Sequence, residues 1–409
     1  MSSKRLLRGV ALILTLGVLL SGCGIFGGDK DEELKPQELV EFRSTLPVKR
    51  AWSAKLGDGS ELLRIGLSPA GSAEKVFAAS RDGNVSAFDP ETGNRLWRTE
   101  LRLPLSAGPG VGNDRVVVAS SDGYLICLAA DDGREIWRVD VTGESIARPL
   151  IRGDSVVVYT IDGRLGARSL FNGRERWTLE QTLPPLTLRG AAPPIIVGTT
   201  VIAGFDNGRL IATGLTDGTT RWEVMLSPPT GRSDLERLSD IDGTLAAVGQ
   251  DVYASAYQGR LAALAAESGQ ILWTREISTH IGLTADLEYV YVISETGELI
   301  ALRRSTGSEL WRHDLLLRRQ PTAPAVFMNT VVVGDFEGYV HFFSNADGSP
   351  VARVRVGKGM LSGPPVVIGS RLYVQSESGQ LAVFEIEPPA EPKATPRKAT
   401  ARNDTGGDS

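Results

Sequence analysis

Residues 121–141 read SDGYLICLAADDGREIWRVDV. An Asp-Gly pair at 122–123 opens the stretch, a second pair at 132–133 divides two apolar runs, and Trp137 follows four residues after the second glycine. Asp-Gly between apolar runs favours a tight hairpin turn, because glycine adopts the positive φ that such turns need. The stretch therefore predicts a β-hairpin with a tryptophan in its second strand.

This hairpin recurs along the chain. Two glycines ten residues apart occur seven times in this pattern, and six of these pairs are followed four residues later by tryptophan. The pairs are Gly83/Gly93, Gly123/Gly133, Gly163/Gly173, Gly208/Gly218, Gly259/Gly269, Gly297/Gly307 and Gly338/Gly348. The tryptophans are Trp97, Trp137, Trp177, Trp222, Trp273 and Trp311. A repeat of about forty residues that holds four short strands is typical of a β-propeller.

The residue ten positions before each of these tryptophans is small, which leaves room for an indole packed over it. The six residues are Ala87, Cys127, Ala167, Ala212, Ala263 and Ala301. In the seventh copy the sizes are exchanged, since Ala352 stands in the tryptophan position and Phe342 in the small one. We therefore predict that the two positions face each other across the hairpin and share one volume.

An eighth copy begins at 378–383 (SGQLAV) and has no second half. The remaining tryptophan, Trp52, lies in WSAKL, which fits the pattern that ends the other repeats. A strand at this position would complete the last blade and remove the exposed edges of an open array. The fold prediction is an all-β, eight-bladed β-propeller of four-stranded antiparallel blades over residues 46–387, closed by the N-terminal strand.

The beginning of the chain has the pattern of a lipoprotein signal peptide. Residues 1–22 combine three basic residues with an apolar run that is too short to span a bilayer. They lead into Cys23 in LSGC, which resembles the bacterial lipobox, in which the cysteine is acylated; the alternative is an ordinary secretory signal. Gly24, rather than aspartate, implies sorting to the outer membrane. Residues 23–45 are predicted to be the lipidated N-terminus and a tether.

Residues 388–409 are rich in proline, alanine, threonine and glycine and have no apolar face, which predicts a disordered tail. The formal net charge is −5, whereas a nucleic-acid-binding protein needs a basic stripe. Nucleic acid is therefore excluded as the expected partner.

No motif of a catalytic or metal site stands out. Cys127 occupies a small packing position, and the three histidines (His280, His313 and His341) fall in different repeats without the spacing of metal ligands. Each histidine is interpreted as a residue on the surface of a strand. We therefore predict no catalytic residue, no metal and no cofactor, although a propeller can build a site from loops of several blades.

The hairpins AFDPETGNRLW at 87–97 and LAAESGQILW at 264–273 resemble the repeat of pyrroloquinoline-quinone (PQQ) dehydrogenases. In that family the tryptophan stacks between neighbouring blades. The chain lacks the vicinal cysteine pair on which those enzymes stack their cofactor. A lipobox, an eightfold ring of this repeat and no cofactor residues together resemble a different family, the lipoprotein subunits of the outer-membrane β-barrel assembly machinery (the BAM complex).

Most spacings between successive tryptophan positions, with Ala352 counted as one, are 38 to 41 residues, but three are longer: 45 from Trp52 to Trp97, 45 from Trp177 to Trp222 and 51 from Trp222 to Trp273. The last two of these are consecutive. The extra residues of these two consecutive spacings fall mainly in 179–194 and 226–243, between the outer strand of one blade and the inner strand of the next. All such connections lie on one face, so the two insertions should form one raised patch. Insertions on one face of a repeat array are often its binding surface. The alternative is harmless variation of loop length.

In the family of lipoprotein subunits, matching Leu-x-Leu-Arg and Asp-x-Asp loops bind the periplasmic POTRA repeats of the BamA barrel. The resemblance therefore implies BamA binding by Leu186, Leu188, Arg189, Asp240 and Asp242. The alternative is that the leucines pack into the ring and the aspartates cap turns.

The resemblance implies a non-catalytic scaffold that is lipid-anchored through Cys23 at the periplasmic face of the outer membrane. Such a subunit docks on the BamA POTRA domains and assists folding and insertion of β-barrel proteins, with nascent barrels as further candidate partners. The alternatives are a periplasmic PQQ-dependent dehydrogenase-like enzyme and a scaffold of another envelope complex.

Overall fold

The computed structural model describes residues 35–59, 67–188, 190, 192–361 and 363–387. Within these residues the chain forms 32 β-strands in eight four-stranded sheets, and the paired strands are antiparallel. The predicted all-β, eight-bladed propeller is therefore confirmed. The predictions for residues 1–22, for Arg189 and for residues 388–409 lie outside the described residues, and so does the part of the predicted tether from Cys23 to residue 34.

Each blade is a meander that runs from an inner to an outer strand. Strand β1 spans Val48–Lys55 and belongs to the eighth blade. The first blade contains β2 (Ala70–Gly71), β3 (Val76–Ala79), β4 (Asn84–Phe88) and β5 (Arg95–Glu100). The second contains β6 (Leu105–Gly112), β7 (Arg115–Ser120), β8 (Tyr124–Ala129) and β9 (Glu135–Asp140). The third contains β10 (Leu150–Arg152), β11 (Ser155–Thr160), β12 (Arg164–Ser169) and β13 (Glu175–Glu180).

The remaining blades follow the same order. The fourth contains β14 (Ile195–Val197), β15 (Thr200–Gly204), β16 (Arg209–Gly214) and β17 (Thr220–Met225). The fifth contains β18 (Ala246–Val248), β19 (Asp251–Ser255), β20 (Leu261–Ala265) and β21 (Ile271–Arg275). The sixth contains β22 (Gly282–Ala285), β23 (Tyr289–Ile293), β24 (Leu299–Arg303) and β25 (Glu309–His313). The seventh contains β26 (Ala325–Phe327), β27 (Thr330–Gly334), β28 (Tyr339–Ser344) and β29 (Pro350–Arg355). The eighth contains β30 (Val366–Ile368), β31 (Arg371–Gln375), β32 (Gln380–Ile386) and the N-terminal β1.

The blades close into a ring. At most of the blade interfaces the innermost strands contact one another, and β30 of the last blade contacts β2 of the first. Strand β1 pairs with β32, so the N-terminal strand completes the eighth blade as predicted. In an antiparallel meander, every connection from an outer strand to the next inner strand lies on one side of the ring. We call this side the connector face, and the turns between second and third strands lie on it as well.

The predicted pairing across the hairpin is confirmed. In each of the first seven blades the tryptophan position lies directly opposite the small position, next to a β-bulge. The pairs are Ala87 with Trp97, Cys127 with Trp137, Ala167 with Trp177, Ala212 with Trp222, Ala263 with Trp273, Ala301 with Trp311 and Phe342 with Ala352. The exchange of sizes in the seventh blade therefore keeps one bulky side chain in each pair.

The tryptophans join neighbouring blades, as the resemblance to the dehydrogenase repeat implies. Each indole N–H donates a hydrogen bond to a carbonyl in the outer turn of the following blade. The donor and acceptor pairs are Trp52 and Pro90, Trp97 and Ala130, Trp137 and Leu170, Trp177 and Leu215, Trp222 and Ala266, Trp273 and Arg304, and Trp311 and Asn345, at 2.8–3.1 Å. At each of these blade interfaces the mostly buried indole N–H therefore has a hydrogen-bond acceptor.

The second glycine of each repeat lies under the indole of the preceding blade. At Gly133, for example, φ is +73° and an added Cβ would lie 2.5 Å from Cε3 of Trp97. Glycine is needed there both for the turn and for the close approach of the ring.

Candidate functional site

The two insertions predicted from the sequence meet on the connector face. They are residues 181–194, which join β13 to β14, and residues 226–245, which join β17 to β18; we call them the paired connectors. The carboxylate of Asp240 accepts a hydrogen bond from the backbone N–H of Leu188. A Cβ at Gly190 would collide with the side chain of Asp242. The Leu-x-Leu and Asp-x-Asp segments are therefore packed against each other.

A third segment joins them. Asp206, in the turn between β15 and β16, is buried and hydrogen-bonded to the Thr187 side chain. Burial, which is the larger effect, and repulsion from Asp240 together raise the pKa of Asp206 to about 7. Burial is also the largest cause at Asp242, and with repulsion from Asp206 and Asp240 it raises the pKa of Asp242 to about 9. Because like charges resist crowding in a low dielectric, this cluster takes up protons more readily than ordinary aspartates.

The pKa of Asp240 is also raised by burial, although hydrogen bonds from the backbone N–H groups of Leu188 and Ser239 act in the opposite direction. Its Oδ1 atom and both carboxylate oxygens of Asp242 are buried without a hydrogen-bond partner among the described residues. Such under-satisfied polar atoms cost folding free energy and mark a site that is not optimised for stability.

The predicted site residues differ in exposure. Leu186 is 42% exposed, Leu188 is half-buried and Asp240 is 0% exposed. Leu186 is thus available at the surface, whereas Asp240 is an internal support that holds the backbone of the other connector. The alternative in which the aspartates only cap local turns does not describe Asp240, because its backbone partner belongs to a different connector.

The second connector carries an exposed leucine that the sequence reasoning missed. Glu236 accepts hydrogen bonds from the backbone N–H groups of Arg232 (2.6 Å) and Ser233 (3.2 Å), and the Ser233 hydroxyl accepts one from the N–H of Glu236 (3.3 Å). This reciprocal pair is a capping box, which rigidifies a single turn. Leu235 lies in that turn and is 63% exposed. The Ser-x-x-Glu pattern of residues 233–236 was the signal that could have revealed it.

In the described part of the chain, no group of three or more His, Cys, Asp and Glu side chains is arranged to hold a metal ion. Within the same residues, no helix is long and apolar enough to cross a bilayer.

Comparison with known proteins identifies a family. The model of the family described as "Outer membrane protein assembly factor BamB" matches residues 81–313 and 305–388. A relative of that name from Pseudomonas aeruginosa is 46% identical over 376 residues, which cover 92% of this chain and 98% of the relative.

Solved structures agree with this match. The crystal structure of BamB from Moraxella catarrhalis has a TM-score of 0.76 and 30% identity, and the match covers 83% of this chain and 99% of that one. The quinohemoprotein alcohol dehydrogenase from Comamonas testosteroni has a TM-score of 0.66 at 13% identity, covering 84% of this chain and 77% of that one. At this low identity the second likeness concerns the fold alone.

Proposed function

This chain belongs to the family of the outer membrane protein assembly factor BamB, and from that premise we propose that it is a non-catalytic scaffold of the BAM complex. In this proposal the ring docks on the POTRA domains of BamA and assists the folding and insertion of β-barrel outer-membrane proteins. The observation that carries it is the hydrogen bond from the Leu188 backbone N–H to the Asp240 carboxylate, which joins the paired connectors into one surface.

The residues of the paired connectors divide into contact and support. Leu186 is the exposed apolar side chain that we assign to the BamA interface, and Leu235 on its capped turn is a second exposed one. Leu188, Asp240 and Asp242 hold the two connectors together from inside. Arg189, which the resemblance assigns to the same interface, is outside the described residues. An exposed apolar anchor beside an arginine suits the centre of a protein interface.

We further propose that the protein is attached to the periplasmic face of the outer membrane through an acylated Cys23. This proposal rests on the LSGC motif and on Gly24. It assigns residues 1–22 to a cleaved signal peptide, 23–45 to the lipidated N-terminus and tether, 46–387 to the propeller and 388–409 to a tail. A lipid anchor and a docking surface would together keep the ring beside the assembling barrels.

The dehydrogenase alternative has only the fold in its favour. The two cysteines of the chain, Cys23 and Cys127, are far apart in the sequence, so the vicinal pair of the quinone enzymes is missing. To test whether the protein is non-catalytic, the purified protein is incubated with PQQ and an alcohol. PQQ-dependent oxidation of the alcohol would contradict the proposal.

The docking assignment is tested with purified BamA periplasmic domains. Leu186→Ala, alone and combined with Arg189→Ala, should weaken binding at least about tenfold, as expected when an interface hot spot is truncated. Leu310→Ala is the matched control, because Leu310 is a similarly exposed leucine (38%) on the outer strand of the sixth blade. Circular dichroism checks that all variants keep their β-structure. Unchanged BamA binding by the Leu186 variants would refute the assignment.

A further inference from the structure

Residues 35–46, which precede the first strand, lie against the seventh blade, and we call them the strap. The backbone N–H of Gln37 donates to the carbonyl of Leu317 (2.9 Å), in the connection between β25 and β26 on the connector face. At the other end, the N–H groups of Thr45 (2.9 Å) and Leu46 (3.1 Å) donate to the carbonyl of Val351, near the start of β29. The strap therefore crosses the side of the blade from the connector face to the opposite face.

Three arginines hold the backbone of the strap. Arg318 Nε donates to the carbonyl of Lys35 at 2.7 Å, and Arg319 Nη1 donates to the carbonyl of Gln37 at 2.9 Å. Arg353 Nη2 donates to the carbonyl of Val40 at 3.0 Å, and its guanidinium lies 5.1 Å from the ring centroid of Phe42. Hydrogen bonds from a charged donor are stronger than neutral ones, and a cation over an aromatic face adds to them.

The central arginine is preorganised. Arg319 is 3% exposed and donates to the fully buried Asp335 from Nε (3.0 Å) and Nη2 (2.7 Å), and it also pairs with Glu337. His341 contacts the same Asp335 oxygen at 3.0 Å. The interpretation of His341 as a surface residue is therefore wrong, since it is buried behind this network. With Arg319 fixed in this way, its remaining N–H group points at the strap carbonyl without a large loss of side-chain entropy.

The strap also packs at the interface between the seventh and eighth blades, where the repeat has no tryptophan. The seventh blade has Ala352 where the other blades have tryptophan, and the eighth blade has no outer turn, because its outer strand comes from the beginning of the chain. A tryptophan there would find no turn carbonyl to accept its indole N–H. Leu46 packs instead against the cluster that contains Phe342, Ala352 and Phe384.

We infer that the strap is an anchoring arm that fixes the place where the part of the tether before Lys35 leaves the ring. That place is the connector face, two blades from the second of the paired connectors. The inference rests on the proposed acylation of Cys23. Cys23 stands twelve residues before Lys35, so the chain between them can span at most about 40 Å, whereas release of the strap would raise this limit to about 80 Å. Docking of the strap therefore keeps the connector face towards the membrane.

Hydrogen exchange tests whether the strap is docked in solution. In the full-length acylated protein, the amides of Gln37, Thr45 and Leu46 should be protected. The double variant Phe42→Ala/Arg353→Ala should speed exchange at Gln37 about tenfold or more, because it removes a charge-assisted hydrogen bond and the aromatic contact. Arg138→Ala is the matched control, because Arg138 follows Trp137 in β9 as Arg353 follows Ala352 in β29. Unprotected strap amides in the unmodified chain would overturn the inference.

Energy transfer to vesicles tests the orientation. The acylated protein is bound to vesicles of phosphatidylethanolamine and phosphatidylglycerol that contain an acceptor lipid. A donor dye is attached at Lys358→Cys, between β29 and β30 on the connector face, or at Met328→Cys, between β26 and β27 on the opposite face. Transfer should be greater from position 358, and the difference should shrink in the Phe42→Ala/Arg353→Ala background.

The outcomes separate this inference from the proposed function. Equal transfer from the two positions would overturn the orientation even if BamA still binds. A chain that does not join the vesicles would overturn both the acylation of Cys23 and the anchoring arm. Leu186 variants could lose BamA binding and still show greater energy transfer from position 358. The loss of binding would then concern the docking surface alone, and the unchanged energy transfer would support the anchoring arm.

Discussion

Trp52 lies directly opposite Val383 in the pair formed by β1 and β32. Its indole N–H also donates to the carbonyl of Pro90 in the first blade at 2.8 Å. One side chain therefore ties together the first strand of the chain, the last strand and the neighbouring blade. Ring closure in the described residues is non-covalent: it consists of the pairing of β1 with β32, to which Trp52 adds its contact with the first blade.

The first prediction concerns this closure. Trp52→Ala should lower the free energy of unfolding by about 3–5 kcal/mol, as for other deletions of a buried aromatic side chain. Trp137→Ala, at an interface within the chain, should cost a similar amount. Chemical denaturation measures both. The exposed Leu96→Ala should change stability by no more than about 0.5 kcal/mol. A loss below about 1 kcal/mol for either tryptophan would mean that the indole does not hold blades together.

The second prediction separates backbone strain from collision with an indole. Gly153 and Gly133 both have positive φ, +58° and +73°, but an added Cβ is unobstructed only at Gly153. Gly153→Ala should cost about 1–2 kcal/mol for the left-handed backbone alone. Gly133→Ala should cost more, because its Cβ would meet the ring of Trp97. Equal losses in thermal or chemical unfolding would show that the indole moves aside freely.

The third prediction concerns pH. The pKa of Asp242 is raised by burial to about 9, whereas an unfolded aspartate has a pKa of about 4. The folded state therefore binds the proton more tightly, and the associated stability is present at low pH and is lost as the pH rises from about 4 to about 9. Asp242→Asn should unfold at a higher temperature than the unmodified chain at pH 9, and its stability should depend less on pH. A lower unfolding temperature at pH 9 would contradict the raised pKa.

The fourth prediction concerns the link between the paired connectors. Asp240→Ala removes the acceptor for the Leu188 N–H, so exchange of that amide should accelerate and BamA binding should weaken. Asp240→Asn keeps an acceptor oxygen and should preserve more of both. Amide exchange and binding to the BamA periplasmic domains are the two measurements. If BamA binding weakened without faster exchange of the Leu188 amide, Asp240 would support BamA binding in some way other than its hydrogen bond to Leu188.

The fifth prediction concerns Cys127, which is fully buried opposite Trp137. Burial raises the pKa of its thiol to about 12, so N-ethylmaleimide at pH 8 should modify it only after unfolding. Cys127→Ala should be tolerated within about 1 kcal/mol, because alanine occupies this position in five other blades. Cys127→Leu should cost about 1–3 kcal/mol through overpacking against the indole. Rapid labelling of the folded protein would contradict the packing.

Much of the fold was readable from local patterns. Glycines ten residues apart set the hairpins, and Trp137 with Cys127 illustrates how a large and a small residue at fixed spacing predict a cross-strand pair. The exchange of Phe342 and Ala352 followed from the same rule. These predictions succeeded because hairpin register depends on turn chemistry and on side-chain volume over about ten residues, which a single repeat contains.

The site was predicted only in part. Unequal spacing of the tryptophans revealed two long neighbouring connectors. It did not reveal that Asp240 is buried and supports Leu188, or that Asp206 from a third segment joins them. Burial of a connector depends on contacts between segments that are distant in the sequence, and an Asp-x-Asp pattern is compatible with a solvated loop as well as with an internal support.

The sequence by itself determined the number of blades, the hairpin register and the N-terminal closing strand, because each follows from a repeated local pattern. Only the tertiary structure decided that residues 35–46 lie on the seventh blade, where Arg319 and Arg353 bind carbonyls of the strap. A backbone carbonyl is the same at every residue, so apart from Phe42, whose ring contacts Arg353, the side chains of the strap do not specify which arginines will reach its carbonyls. That contact exists because the pairing of β1 with β32 places the preceding residues along the seventh blade, where both guanidiniums lie.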